Sequence, residues 1–441
     1  MVRLRRALSP RPRLYVCCFI AGLMAGVGAN VLKILIRYVS KFLIAGMDID
    51  GANWRLLVLP VAGVLLTVAF ARFVARRKLE HGTEQLEARL RAGKPEMPKA
   101  LTVEPIIANT FTLGFGGSAG SEGPIAYASA AMASRLGMFL GLDKESLTVL
   151  VACGAGAGIA GIFTAPIGGV MFTLEVLALP LTTMAVMGLI ISCLTAGLTA
   201  FVLAGCRFDA PFTAVNQFEI PVLPFILLLG LFCGLYSLYY SHTGAATARL
   251  LGRIRSSWLR AAISGGTMGL LLFVFPCFYG EGYNTVVRII NDEHIGLGDY
   301  SALGTGTQLE TGVMLAIGVG VLLFKGIVCR DTNSGGGVAG EYAPALFAGC
   351  FAGWFFAAAT NYFFGTSLPV GNFAVVGMAA VMAGAIKAPV MAMFITVEMI
   401  DGYDFLLPVA VASVVSYAIR QGGDYLLCRK EGNMRRMRKR M

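Results

Sequence analysis

Charged side chains are scarce in this sequence. Only 14% of the 441 residues are charged and 56% are hydrophobic, and the mean hydropathy is +0.73. A soluble domain carries charge on roughly a quarter of its residues, because its surface faces water. The composition therefore excludes an ordinary soluble protein and predicts a polytopic membrane protein embedded in a lipid bilayer.

Metal-binding and disulfide patterns are also missing. The three histidines, His81, His242 and His294, form no HExxH pair, which excludes the common metalloprotease site. The ten cysteines contain no CxxC pair, so neither a zinc site nor a disulfide framework is indicated. We therefore expect no metal and no cofactor. No small-residue cleavage site ends the first apolar run, so a cleavable signal peptide is not expected.

Positive charge, by contrast, is concentrated in a few places. The net charge is +11, and basic residues crowd both ends of the chain, at 1–13 and 429–441, and the loop at 76–100. A nucleic-acid-binding face is not expected from this distribution. By the positive-inside bias, it predicts that both termini and the loop lie in the cytoplasm.

Apolar runs fill nearly the whole length of the chain. Several are shorter than the ~20 residues that a full membrane span needs. Short or interrupted segments are typical of broken or re-entrant helices, which are tolerated only inside protein or beside an aqueous cavity. The runs lie at 14–38, 53–75, 103–118, 124–141, 145–163, 166–180, 183–205, 218–240, 258–279, 310–329, 342–359, 374–385, 389–400 and 404–421.

The sequence contains an internal repeat. Pro166 precedes Glu175 by nine residues, and Pro389 precedes Glu398 by nine, within the similar strings APIGGVMFTLEV and APVMAMFITVEM. A repeated glutamate at a helix end reflects structure more often than chemistry, so we expect a hydrogen-bonded structural role for both carboxylates.

A Gly-x-x-x-Pro helix start precedes each of these strings. The two starts, at 120–124 and 340–344, lie 42 and 45 residues before the prolines of the strings. The two halves of the chain span about 14–205 and 218–428. Broken helices at corresponding positions of two halves are typical of a transporter fold whose site lies where the repeats meet.

Glu122 is the one charged residue of the Gly-Ser-Glu-Gly-Pro stretch. A carboxylate inside the membrane is costly unless something satisfies it, so it indicates function by default. Backbone N–H groups exposed at a helix start attract anions. The stretch therefore offers one site to two competing ligands, which are its own carboxylate and an incoming anion.

These motifs resemble those of CLC-type chloride channels and chloride/proton exchangers. The stretch at 120–124 is similar to that family's G-[KR]-E-G-P motif, and the stretch at 340–344 is similar to its G-x-F-x-P motif. Further similar features are the stretches at 161–176, 279–284 and 397–408 and Tyr425. The resemblance implies an all-α membrane fold, built as an inverted repeat of tilted, broken and re-entrant helices. It also implies a homodimer in which each subunit has its own anion path.

The resemblance also implies roles for individual residues. Glu122 would be the gate that exchanges protons. Helix starts and hydroxyl groups would hold the anion, and the residues implied for this are Thr83, Ser121, Gly123, Glu341, Tyr342, Ala343 and Tyr425. Lys325 and Arg330 lie near the second helix start, where they either attract anions to a vestibule or extend to the membrane boundary.

Three departures from the family pattern leave alternatives open. The family's G-S-G-x-P motif is absent, and Gly82 and Thr83 are its nearest counterparts, which leaves the halide preference open. Val176 stands where exchangers commonly carry an inner proton-transfer glutamate. Glu341 occupies a position that is usually apolar in G-x-F-x-P, where it could repel anions, bind protons or point away.

The function expected from these features is transport of small inorganic anions, chloride first, coupled to protons and gated by Glu122. We expect no appended CBS regulatory domain after the tail at 429–441, and by the habit of the family that the chain resembles this favours exchange over a channel. A passive anion channel and a fluoride/proton exchanger are the alternatives. A membrane-embedded hydrolase using Glu122 with Ser121 is disfavoured, because no histidine, lysine or metal constellation accompanies them. We expect the protein in the plasma (inner) membrane.

Overall fold

The fold is described from a computed structural model that covers residues 10–45, 53–77, 79, 82–206, 220–291 and 311–438, without the side chains of 10–11, 220 and 428–438. The regular secondary structure within these ranges is helical. The first half contains α1 (Pro10–Ile44), α2 (Arg55–Ala69, continued by a π-helical turn at Phe70–Ala75), α3 (Thr83–Arg91), α4 (Glu104–Gly114), α5 (Glu122–Phe139), α6 (Lys144–Phe163), α7 (Pro166–Glu175) and α8 (Thr183–Leu203).

The second half is also helical. It contains α9 (Leu223–Gly252), α10 (Ser257–Val274), α11 (Tyr283–Ile290), α12 (Thr311–Gly335), α13 (Tyr342–Phe364), α14 (Val370–Ile386), α15 (Pro389–Met399) and α16 (Leu406–Arg438). Nine helices in the described ranges are long and apolar enough to cross a membrane. Helices α7 and α15, of 10 and 11 residues, are too short to do so. The predictions of a polytopic membrane protein and of broken helices are confirmed.

Small residues allow the inner helices to approach closely. A Cβ added to Gly349 of α13 would stand 2.3 Å from the carbonyl oxygen of Gly377 of α14, and one added to Gly353 would stand 1.9 Å from that of Phe373. Association of helices in lipid depends on such close packing, because the surrounding lipid is as apolar as the side chains. These glycines therefore hold α13, which carries the second helix start, against the core.

The same backbone break occurs in both halves. Thr164 directly follows helix α6 and Lys387 directly follows helix α14, and both residues have left-handed backbone, with φ of 54° and 65°. Ala-Pro follows each break, and the proline begins α7 or α15. Proline is suited to the first position of a helix because its missing N–H would have no partner there.

The glutamates at the ends of α7 and α15 cap each other's helices. Glu175 accepts hydrogen bonds from the N–H groups of Val390 (3.2 Å) and Met391 (2.8 Å) at the start of α15. Glu398 accepts from Ile167 (3.0 Å) and Gly168 (2.8 Å) at the start of α7. The predicted structural role of both carboxylates is confirmed, and the reciprocal exchange joins the two halves.

Some predictions fall on residues that the structure does not describe. Almost all residues or side chains of the predicted basic segments at 1–13 and 429–441 lie outside the described part of the chain. The loop at 76–100 contains helix α3, which begins at Thr83 after Gly82. His81 and His294 lie outside the described residues.

Candidate functional site

The two Gly-x-x-x-Pro starts meet in the fold. The N–H of Gly120 donates to the carbonyl of Gly340 (3.0 Å), and the N–H of Gly340 donates to that of Gly120 (2.6 Å). The side-chain amide of Asn109 donates to the carbonyls of Gly120 (3.3 Å) and Val338 (2.8 Å), which ties the two loops together. Helices α5 and α13 therefore begin at one shared point, where the repeats meet as predicted.

The carboxylate of Glu122 caps the helix of the other half. Its Oε1 accepts hydrogen bonds from the N–H groups of Tyr342 (2.6 Å) and Ala343 (3.4 Å) at the start of α13. The residue is 1% exposed. Amide N–H groups and the helix dipole stabilise negative charge at this position. The structure thus brings Glu122, Tyr342 and Ala343 together as a site for an anionic oxygen.

The second oxygen of the same carboxylate differs from the first. Oε2 of Glu122 is buried and makes no hydrogen bond to any residue in the described part of the chain. A buried polar atom without a partner is costly, and its retention calls for a physical reason. An acceptor of this kind is a place where a proton can be held.

Two glycines create the space that this carboxylate occupies. A Cβ on Gly340 would stand 2.2 Å from Oε1 of Glu122, and a Cβ on Gly120 would stand 1.9 Å from Oε2. The Cβ on Gly340 would also lie 2.8 Å from the amide nitrogen of Gly123. Only glycine permits this close approach of backbone and carboxylate. Gly123 thus lies beside the carboxylate.

Thr83 reaches the site through the ring of Tyr342. The Tyr342 hydroxyl donates to Oγ1 of Thr83 at 3.0 Å. The ring of Tyr342 packs edge-on against that of Phe172 of α7, with 6.1 Å between the centroids. A tyrosine at the phenylalanine position of G-x-F-x-P carries a hydroxyl that needs a partner when buried, and this signal could have predicted the pair.

Ser121 binds a carboxylate that the sequence analysis did not single out. Its N–H donates to Oε1 of Glu281 at 2.8 Å, and its hydroxyl donates to the same oxygen. Glu281 lies in the stretch at 279–284, which was noted for its resemblance alone. The sequence signal that could have found Glu281 is an acidic residue beside a long apolar segment.

Two of the predicted anion-binding residues lie apart from this cluster. The carboxylate of Glu341 forms an ion pair with Arg330 at 2.6 Å, and the two side chains are 28% and 39% exposed. The Tyr425 side chain is 67% exposed near the end of α16. The structure does not bring either side chain to the carboxylate of Glu122, and their role in binding anions stays a prediction.

Lys325 is buried rather than extended to the membrane boundary. It is 0% exposed, and its Nζ donates to Oγ of Ser118 at 2.9 Å. The ammonium lies 4.2 Å from the centroid of the Phe347 ring, a distance suited to a cation–π interaction. Boundary snorkelling of Lys325 is therefore wrong, because its charge is satisfied inside the protein.

Comparison with known proteins finds relatives that are named as a chloride channel protein and as a proton/chloride exchange transporter. A ClcB-like chloride channel protein of Ralstonia nicotianae is 27% identical over 82% of this chain and 82% of its own length. The H(+)/Cl(-) exchange transporter ClcA of Vibrio cholerae is 27% identical over 71% of this chain, and the match spans 65% of that transporter.

Similarity of fold extends over nearly the whole chain. The crystal structure of a slow cyanobacterial Cl−/H+ antiporter superimposes with a TM-score of 0.77 at 21% identity, covering 94% of this chain and 95% of that one. This likeness confirms the predicted CLC-like fold of inverted repeats. Residues 62–421 match the family described as voltage gated chloride channel, and the chain belongs to that CLC family.

Proposed function

We propose that the protein exchanges small inorganic anions, chloride first, for protons, with Glu122 as the gate. One observation carries the proposal, namely that a carboxylate from one half of the chain occupies the N–H groups of Tyr342 and Ala343 at the helix start of the other half. A tethered carboxylate on this pair of amides stands where a free anion would bind. The names of the two relatives, an exchanger and a channel, agree with an anion as substrate.

Competition between the Glu122 carboxylate and a free anion explains how the gate works. While Glu122 is ionised, its carboxylate holds the amides and excludes the free anion. Protonation removes the negative charge and weakens the hydrogen bonds, because bonds to a charged group are stronger than those to a neutral one. The side chain then leaves and an anion takes its place. Amides hold that anion without a full positive charge, which keeps binding weak enough for release.

The unpartnered oxygen supports a proton-carrying role for Glu122. Oε2 is buried without a hydrogen-bond donor among the described residues. Protonation at this atom neutralises a charge that is buried in the interior, while Oε1 keeps its contact with the amides until the side chain moves. The proton and the anion thereby use the same carboxylate in turn.

A passive anion channel is the second candidate. Val176, at the end of α7, stands where a proton-transfer glutamate is expected in an exchanger, and valine carries no proton. Proton-coupled exchange therefore requires that protons reach Glu122 by another route. Fluoride is included among the test anions because the G-S-G-x-P motif is absent.

The membrane setting and the assembly belong to the same proposal. We infer a protein of the plasma (inner) membrane with both termini in the cytoplasm, from the basic residues at the chain ends. A homodimer follows from the resemblance to the family. Exposed apolar side chains on α8 and α16, among them Leu194 (52%), Leu198 (64%) and Leu407 (71%), suit contact with lipid or a second copy.

The mechanism is tested on the purified protein in liposomes. We expect that a chloride gradient drives protons uphill, recorded together with the chloride flux. Chloride flux with no proton movement would indicate the passive channel instead. Absence of flux for chloride, bromide, nitrate and fluoride would exclude anion transport.

The hydroxyl pair beside the gate gives a smaller expected effect. Tyr342→Phe or Thr83→Val breaks the hydrogen bond between their side chains and removes one hydroxyl that lies near the site. A hydroxyl that turns to the bound anion contributes about 0.5–1.5 kcal/mol, so the apparent affinity for chloride should fall roughly twofold to tenfold without it. The measurement is chloride flux against chloride concentration.

The matched control for this pair is Tyr239→Phe. The Tyr239 hydroxyl bonds to the carbonyl of Leu323 at 3.0 Å, between α9 and α12. This variant should leave the chloride dependence unchanged. Equal curves for Tyr342→Phe, Thr83→Val and the wild type would remove the hydroxyl pair from the anion site.

A further inference from the structure

Asp331 is a buried carboxylate that the proposed mechanism has not used. It lies near the end of α12 and is 2% exposed. Its Oδ2 atom is buried and makes no hydrogen bond to any residue in the described ranges. A carboxylate inside a membrane protein is costly unless it is satisfied or protonated, so Asp331 indicates function by default.

Three other acidic side chains near helix ends already have partners for their charge. Glu175 and Glu398 accept from amides of the opposite half, and Glu341 pairs with Arg330. Asp331 forms no ion pair with any residue that the structure describes, so no cation holds its carboxylate in the ionised form. The cationic and titratable side chains of α12 and of the helices around its end, none of which pairs with Asp331, are Arg55, Arg72, His242, Arg249, Arg260, Lys325 and Arg330.

Asp331 lies toward the side of the membrane domain that the positive-inside bias assigns to the cytoplasm. Its main-chain carbonyl accepts a hydrogen bond from the Ser264 hydroxyl of α10 at 2.8 Å. Ser264 follows the first residue of α10, Ser257, by seven positions, which is about 10 Å along a helix. The loop before α10 contains the exposed Arg253 and Arg255, which favour the cytoplasmic side. A proton from the cytoplasm therefore has a short depth to cross before it reaches Asp331.

Buried polar side chains lead from the end of α12 toward the two helix starts. A Cβ on Gly337 would stand 3.2 Å from Cγ2 of Thr332 and 2.9 Å from Cγ2 of Thr112, so the two threonines meet at this glycine. Oγ1 of Thr112 lies 3.1 Å from Oγ1 of Thr67 and accepts from the N–H of Val338 at 3.0 Å. All three threonines are buried. They therefore place hydroxyl groups between Asp331 and the loop that precedes α13.

Asn109 extends this line of polar side chains to Glu122. Its side-chain amide donates to the carbonyls of Val338 and Gly120, and its Oδ1 is buried without a hydrogen bond to any described residue. Gly120 also borders Oε2 of Glu122, which a Cβ on this glycine would approach to 1.9 Å. The line thus ends beside the unpartnered oxygen of the gate. Its members, together termed the polar seam, are Asp331, Thr332, Thr112, Thr67 and Asn109.

Three oxygens on the polar seam and at its end can accept further hydrogen bonds. They are Oδ2 of Asp331, Oδ1 of Asn109 and Oε2 of Glu122. Buried acceptors of this kind are commonly satisfied by internal water, and a proton can pass between two acidic groups through water. The polar seam is therefore suited to moving protons between the two carboxylates, whereas Val176 offers no acid at the end of α7.

We propose that Asp331 is the internal proton-transfer residue, and that protons reach Glu122 along the polar seam instead of past Val176. Asp331 takes one proton from cytoplasmic water and becomes neutral. It then passes this proton, through water in the polar seam, to Oε2 of Glu122 and is ionised again. Glu122 carries the proton when its side chain leaves the amides of α13. This inference rests on the proposed proton coupling at Glu122 and supplies the route that the coupling needs.

The test uses Asp331→Asn in liposomes under a chloride gradient. Asparagine keeps the shape of the side chain, but it has no carboxyl group to take up and release the proton. We expect uphill proton transport to fall by about 10²-fold, the lower end of what a positioned proton-transfer group contributes. Chloride flux should persist, and the pH dependence of chloride binding should stay as in the wild type, because Glu122 is intact.

The matched control is Asp143→Asn. It neutralises an exposed carboxylate directly before α6, outside the polar seam, and asparagine is as good a helix cap as aspartate. This control should move protons and chloride as the wild type does. If the ratio of protons to chloride in Asp331→Asn equals that of the control, the inference is overturned, even where the unfolding temperature of Asp331→Asn is lowered.

Thr332→Val keeps the proposal testable if Asp331→Asn does not fold. It removes the hydroxyl beside Asp331 with little change of shape, so proton transport should fall severalfold relative to chloride flux. An unchanged ratio in Thr332→Val would then overturn the inference. If the wild type moves no protons, the proposed exchange itself fails. If Glu122→Gln abolishes proton movement while the Asp331 and Thr332 variants keep the wild-type ratio, only the internal route fails.

Discussion

Glu122→Gln is expected to abolish proton movement while anion flux continues. Glutamine has nearly the shape of glutamate, but it carries neither an exchangeable carboxyl proton nor a negative charge. Its side chain therefore cannot bring a proton to the amides of Tyr342 and Ala343, and it competes weakly with a free anion there. Anion flux should also lose its dependence on pH, since protonation no longer controls the competitor.

Proton transport requires the carboxylate of Glu122, so it should fall below detection in Glu122→Gln. Chloride flux in this variant should match or exceed that of the wild type at low pH. The assay records both fluxes over a series of pH values in liposomes. Glu145→Gln, which neutralises an exposed carboxylate in the first turn of α6, is the control and should behave as wild type. A Glu122→Gln variant with unchanged pH dependence would refute the gate.

Glu398→Gln is expected to destabilise the fold strongly. Glu398 is 7% exposed, and its two oxygens accept from Ile167 and Gly168 at the start of α7. In glutamine an NH₂ group replaces one oxygen and turns a donor toward a backbone N–H. The loss of one charge-assisted hydrogen bond and the weakening of another cost about 2–4 kcal/mol of unfolding free energy.

Thermal unfolding in detergent micelles measures this loss. Glu175→Gln should also lower the transition temperature, but by less, because Glu175 is more exposed than Glu398. Val176→Ala, at the residue after Glu175, trims a half-buried side chain without touching a cap and serves as the control. An unfolding temperature equal to that of the wild type in Glu398→Gln would show that the reciprocal caps do not stabilise the contact between the halves.

Much of the fold was predictable because a membrane imposes simple rules. Apolar runs, Gly- and Pro-marked breaks and the repeated Pro-to-Glu spacing each depend on local sequence, and all reappear as helices α1–α16 and the caps of α7 and α15. Glu122 stood out for the same reason, since a lone charge in an apolar context is costly.

The contacts across the site were harder to predict because they join distant segments. Glu122 and Tyr342 are 220 residues apart, and no local pattern states that a carboxylate of one half caps the helix of the other. The resemblance suggested Thr83, but its bond to the Tyr342 hydroxyl depends on how α3 packs. The sequence left two alternatives open for Lys325, because its burial depends on Ser118 and two aromatic rings from separate parts of the chain.

Glu281 was overlooked for a different reason. In the sequence it sits between two glycines of a turn, and a charged residue in a turn is usually exposed to water. Only the positive φ angles of its neighbours and the position of Ser121 turn its side chain toward α5. The direction of this side chain is not determined by the sequence pattern alone.

Chloride binding measured against pH tests the central claim most directly, since the claim is that Glu122 and an anion compete for the amides of Tyr342 and Ala343. Isothermal titration of the purified wild type and of Glu122→Gln measures that competition without transport. We predict that wild-type affinity rises as the pH falls, because protonation removes the competitor. Affinity of Glu122→Gln should be high at every pH. Wild-type binding that is independent of pH and equal to that of the variant would contradict the competition.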